Sequence, residues 1–102
     1  AVRCKIKTIT VINNNNSGNQ ALRTTKILYD DKLTDRSNEM FPRSKDNFAK
    51  IAEDMGAIGL RVENPEEIKP AFQRALEEEL PVVIDIVSDI EVVAPLAWEK
   101  PE

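Results

Sequence analysis

The chain has 102 residues, 41% hydrophobic and 31% charged, with a single cysteine and no histidine, a size that supports one modest core and not two domains. Disulfide frameworks, serine-histidine or cysteine-histidine nucleophiles and histidine-ligated metals are thereby excluded. The net charge of −4 hides an asymmetry, ten Lys/Arg against five Asp/Glu in residues 1–50 and four against thirteen in residues 51–102, but the basic half carries no clustered stripe, so a nucleic-acid partner is not expected.

Ile6-Lys7-Thr8-Ile9-Thr10-Val11-Ile12 is rich in β-branched residues and halts at four asparagines, as a strand running into a loop does. Its apolar positions do not alternate, the pattern of a strand covered on both faces, which favours a parallel α/β sheet. Residues 13–43 break every period. Asn13-Asn14-Asn15-Asn16-Ser17-Gly18-Asn19 is turn-forming chemistry, and a long loop region of this kind points to local function, although Gln20 to Leu28 can form a short helix.

From Asp46 to Met55 the pattern becomes helical. Phe48, Ile51, Ala52 and Met55 share a face, Ser44 or Asp46 is placed to cap, and Gly56 stands where a helix ends. Ala57 to Val62 reads as a short strand. Asn64-Pro65-Glu66-Glu67 then supplies a helix N-cap, a proline at the first position and a glutamate at the third. The helix that follows carries an apolar stripe of Ile68, Ala71, Phe72, Ala75 and Leu76, and Pro81 to Val87 reads as a buried strand. The expected order is β-loop-α-β-α-β over residues 1–89. Residues 90–102, with Pro95 and Trp98, form a tail that docks on a partner or on the domain itself.

In open parallel sheets, ligands bind beyond the carboxyl ends of the strands, where the Asn13 to Gly18 turn emerges. Carboxamide and turn carbonyl oxygens are hard neutral donors suited to Mg²⁺ or Ca²⁺, and Gly18 permits close backbone approach to a phosphate; a plain surface turn is the alternative. Other candidates are weaker. Cys4 reads as a small buried hydrophobe, Asp30, Asp31 and Asp35 as solvated charges, and Glu77-Glu78-Glu79 as a solvated helix face.

The strand entering Asn13-Asn14, with Gly18 four residues beyond the second asparagine, resembles the end of the thiamine diphosphate fingerprint, which opens with Gly-Asp-Gly and closes with paired asparagines. The continuation agrees with it. Asp46-Asn47-Phe48-Ala49-Lys50-Ile51-Ala52-Glu53-Asp54-Met55-Gly56, running on through Gly59-Leu60-Arg61-Val62, is similar to a further segment of that family. Pro65-Glu66-Glu67-Ile68 followed by Pro81-Val82-Val83-Ile84-Asp85-Ile86 is similar to its closing segment. The chain is thus identified as resembling part of the C-terminal thiamine diphosphate-binding domain of acetolactate synthase-like enzymes, which decarboxylate and carboligate 2-oxo acids.

The resemblance implies a partial three-layer α/β/α fold around a parallel sheet, with thiamine diphosphate and Mg²⁺ as cofactors. It implies that Asn14 ligates Mg²⁺ through its side chain, that Asn16 does so through its backbone carbonyl, that Gly18 keeps the turn tight beside the diphosphate, and that Asn13 supports the turn. It also implies a 2-oxo acid substrate and a homo-oligomer. The Gly-Asp-Gly element and the glutamate that activates the cofactor ring do not occur in these residues, and Asn19 is polar where acetolactate synthases commonly carry an apolar residue. The chain alone is therefore expected to be inactive and to bind thiamine diphosphate and Mg²⁺ weakly or not at all, and an assembly module that keeps the fold is the alternative. No apolar run is long enough to span a bilayer, and Ala1-Val2-Arg3-Cys4-Lys5 lacks the long apolar stretch and cleavage site of a secretory signal. A cytoplasmic protein without membrane contact is expected.

Overall fold

The computed structural model describes residues 1–17, 19–41 and 45–92. Seven regular elements follow one another: β1 (Ile9–Asn14), α1 (Asn19–Leu28), α2 (Asp35–Met40), α3 (Phe48–Asp54), β2 (Ile58–Val62), α4 (Ile68–Glu77) and β3 (Val82–Val87), with a 3₁₀ turn at Pro65–Glu67 leading into α4. The strands form one sheet in the order β1-β3-β2. Both pairings are parallel, with Ile12 and Arg61 flanking Asp85 on either side. The expected α/β class and parallel sheet are present.

Side chains alternate across a pleated strand, so each face of the sheet has its own composition. One face presents Ile58, Leu60, Val62, Val82, Ile84 and Ile86, which pack with Ile68, Ala71 and Ala75 of α4. Ile84 and Ala75 are fully buried there. The other face presents Gly59, Arg61 and Asp85 and meets α3. Helices therefore cover opposite faces of the sheet, which is why its strands read as continuous apolar runs.

Several boundaries differ from expectation. β1 begins at Ile9 and continues through Asn13 and Asn14, which pair with Ile86 and Val87. The first two asparagines are strand, because the register with β3 outlasts the apolar run. Residues 13–43 are not a long loop: α1 realises the expected helix near Gln20 to Leu28, and α2 occupies Asp35–Met40 without an apolar period to announce it. The cap of α3 is Asn47, whose Oδ1 accepts from Lys50 N at 2.9 Å, and not Ser44 or Asp46. The tail from residue 93 onward, with Pro95 and Trp98, lies outside the described residues.

The apolar face of α3 also differs. Ala49 and Ala52 are the residues buried against the sheet, while Ile51 and Met55 are 49% and 73% exposed. Helix and strand approach so closely that small residues fit and large ones are turned outward. Gly59 sets that distance, since a Cβ there would fall 2.0 Å from the Ala49 carbonyl oxygen. On α4, likewise, the stripe narrows, and Leu76 is 65% exposed.

The start of α4 follows the expected signal. The Glu67 carboxylate accepts from the backbone N–H of Glu63 at 2.9 Å and of Asn64 at 3.0 Å, and these donors hold its pKa below the ordinary 4.5. A carboxylate depressed in the folded state stabilises the fold at pH above its unfolded pKa, and the contribution is lost as pH falls through the folded value. Glu67→Gln is accordingly expected to destabilise the chain at pH 7 and to carry a smaller deficit at pH 3. Chemical denaturation at the two pH values checks this, and an equal deficit at both would contradict it.

Candidate functional site

The carboxyl ends of the three strands lie together, and the turn leaving β1 lines an open cleft of about 540 Å³ there. One wall is polar, made by Asn13 to Ser17. The other is largely apolar, made by Ala21, Met40, Phe41 and Phe48. A pocket with few polar groups converging on an apolar wall is the usual form of a small-ligand site.

Asn13 and Asn14 are successive strand residues and so point to opposite faces. Asn13 is exposed, and Asn14 is 5% exposed on the α3 face. The Asn14 carboxamide is held at both ends: Nδ2 donates to Asp46 O and to Asp85 Oδ1, each at 3.0 Å, and Oδ1 accepts from Asn16 N at 3.0 Å. The last bond closes an Asx turn that carries Asn16 into the left-handed region, φ 57°. Asn15 Oδ1 accepts from Ser17 N at 3.1 Å and closes a second one. Asn16 Oδ1 and Ser17 Oγ are buried and have no hydrogen-bond partner among the described residues.

Beneath the turn, Asp85 is fully buried. Its second oxygen accepts from Phe48 N at 2.9 Å and Arg61 Nη1 at 2.7 Å. Arg61 Nε donates to Glu63 Oε1 at 3.0 Å. The hydrogen bond to Glu63, then the charge of Asp85, hold the guanidinium pKa above its already high value, against the lowering effect of partial burial. Arg61 is a permanent cation at the base of the site.

Residues 1–86 match the family described as the C-terminal TPP binding domain of thiamine pyrophosphate enzymes. The chain belongs to this family. YdaP of Bacillus subtilis (strain 168), named for containing thiamine pyrophosphate, is 32% identical over 88 residues, 85% of this chain and 14% of its own length. The acetolactate synthase of the same organism is 37% identical over 54 residues, 53% of this chain and 10% of its own. The chain thus spans a small part of the relatives it matches.

As a thiamine pyrophosphate-binding domain, the chain can be tested for fit to its cofactor. A diphosphate-bound Mg²⁺ takes hard oxygen ligands in small number from the protein and the rest from phosphate and water. Asn14 Oδ1 keeps a lone pair beyond the one used by Asn16 N, and the partnerless buried Asn16 Oδ1 and Ser17 Oγ are polar atoms of the kind a bound group satisfies. The donor set fits. Gly18 lies outside the described residues, and no group of three or more acidic or thiol side chains that could hold a metal occurs among those described. Among the described residues, no helix is long and apolar enough to cross a membrane.

Cys4 is exposed, against the expectation of a buried hydrophobe. It precedes β1 in a turn, where nothing packs over it as a strand residue would be packed. Asp85, Arg61 and Asp46 were not singled out for the site by sequence reasoning. The signal for Asp85 was nonetheless there: it is the lone charge inside the apolar run Val82 to Val87, and a charge in such a run is buried and paired.

Proposed function

We propose that the asparagine turn after β1 binds the diphosphate of thiamine diphosphate through Mg²⁺, in a 2-oxo-acid decarboxylating or carboligating enzyme of the acetolactate synthase kind. The single observation that supports this most is the geometry of Asn14: a buried carboxamide in the lining of the cleft at the carboxyl end of the sheet, its oxygen on Asn16 N next to two buried polar atoms without partners. Asn14 would ligate the metal through Oδ1 and Asn16 through its carbonyl. Asn13 and Gly18 would shape the turn. When bound, the cofactor supplies the electron sink for loss of CO₂ from a 2-oxo acid.

What these residues contribute is binding and orientation. Neutral oxygens ligate the metal without adding negative charge beside the diphosphate, and the apolar side chains of Phe41 and Phe48 line the other side of the cleft. None of them is placed to form a bond to substrate. The 102 residues taken alone are accordingly proposed to be inactive, in a protein that is cytoplasmic and oligomeric.

Calorimetric titration with thiamine diphosphate, with and without Mg²⁺, tests the assignment on wild type and Asn14→Ala. Binding by these 102 residues alone is expected to be weak and metal-dependent, and weakened further by about 100-fold in Asn14→Ala, a loss of about 2.7 kcal/mol. Pyruvate decarboxylation is expected to be absent in the same samples; turnover, or equal affinity in both proteins, contradicts the proposal. A second reading, that the chain is an assembly module, is favoured by the exposed Ile27, Leu28, Tyr29 and Met40, each more than 60% accessible. Self-association without any response to cofactor would select it.

A further inference from the structure

Asp85 ties together four segments that are remote in sequence. It lies in the central strand, fully buried, and through its two oxygens reaches Asn14 on β1, Phe48 at the start of α3 and Arg61 on β2. The Asn14 nitrogen has a second acceptor in the Asp46 carbonyl. Both Nδ2 protons are therefore used, one by the central strand and one by the segment that enters α3. A flipped carboxamide would set its oxygen against a carboxylate and a carbonyl, exchanging two hydrogen bonds for two repulsions. The orientation with Oδ1 toward Asn16 and the cleft is the one this surrounding permits.

We infer that Asp85 is the positioning residue of the site, holding the Asn14 carboxamide so that its oxygen, and not its nitrogen, faces the cleft, with Arg61 as the counter-charge. The inference rests on the reading of Asn14 as an oxygen ligand. An asparagine free to flip would present donors to a cation for part of its time, and groups that orient a ligating side chain are worth about 10- to 100-fold in metal affinity.

Asp85→Asn is the informative variant, because it keeps the size of the side chain. Its single oxygen is claimed by Phe48 N and Arg61, which leaves an amide nitrogen facing Asn14 Nδ2 and removes the anchor. Two readouts are taken on the nitrogen-15-labelled 102-residue chain. In wild type, the Asn14 Nδ2 protons are expected to exchange with water at least about tenfold more slowly than those of exposed Asn13. In Asp85→Asn that protection is lost, while the backbone amides of β1 and β3 stay protected, an outcome that a general loss of structure would not give. In parallel, Mg²⁺-dependent affinity for thiamine diphosphate is expected to fall by about 10- to 100-fold.

Fast exchange at Asn14 in wild type, or slow exchange persisting in Asp85→Asn, overturns the inference. So does an Asp85→Asn protein that binds like wild type when Asn14→Ala does not. If Asn14→Ala itself binds like wild type, the metal-ligand reading fails, and the exchange data alone decide the role of Asp85. Should Asp85→Asn not fold, Asp85→Glu, which keeps the charge and displaces the oxygens by a methylene, takes its place, with the same loss of Asn14 protection expected and its persistence overturning the inference.

Discussion

Arg61→Met is expected to destabilise the chain by about 3 kcal/mol, the low end of what breaking a buried ion pair costs. The reason is the asymmetry of the pair. Asp85 is fully buried and the Arg61 side chain is 23% exposed, at 2.7 Å. Removing the guanidinium leaves a charge with no access to water and only two neutral donors, Asn14 Nδ2 and Phe48 N. Residual solvent near the Arg61 position keeps the loss from the upper end of the range.

If the charge is the cause, replacing both partners should be milder than replacing one. Arg61→Met/Asp85→Leu is expected to recover at least half of the Arg61→Met deficit, because the burial penalty disappears together with the charge. Urea denaturation of the two single variants and the double variant closes the cycle. Additive losses would show instead that Arg61 acts through the packing of its aliphatic stem. The double variant should nevertheless bind cofactor poorly, since Asn14 loses its anchor whatever the stability.

Gly59→Ala is the second large effect expected, at or above the upper end of the ~1–3 kcal/mol of ordinary overpacking. An added methyl group falls 2.0 Å from the Ala49 carbonyl oxygen and 2.5 Å from its carbon. These are backbone atoms, so no side-chain rotation relieves the clash, and α3 must move off β2. That motion also withdraws the Phe48 N–H from Asp85 and the Asp46 carbonyl from Asn14. A stability change at the packing site should therefore be accompanied by loss of Asn14 Nδ2 protection, read by the same exchange measurement. A thermal midpoint within a degree or two of wild type would refute the account.

The parts of the fold that were readable in sequence are those where local chemistry and tertiary context agree. Asn64-Pro65-Glu66-Glu67 announced the entry to α4 because a cap is satisfied by residues within one turn of each other. Val82 to Val87 was evident as a buried strand because both of its faces are covered. α2 was not readable, since Asp35-Arg36-Ser37-Asn38-Glu39-Met40 has no apolar period and five of its six residues are polar. The buried face of α3 was misjudged because the contact is set by Gly59, on another element, so that hydrophobic size was the wrong criterion.

For the site, the sequence by itself determined the residue types: a run of asparagines after a β-branched strand, the oxygen donors they carry, and the likeness to a thiamine diphosphate-binding domain that the family match bears out. How the asparagines are arranged around the cleft, and which end of the Asn14 amide meets Asn16 N and which meets Asp85, was decided only by the tertiary structure. The register of β1 on β3 extends the strand to Asn14 and so puts Asn13 and Asn14 on opposite faces. The orientation of the amide depends on Asp85, 71 residues away. A side chain's identity is local, but its rotamer and hydrogen-bond sense are imposed by neighbours that only the folded sheet brings within 3 Å.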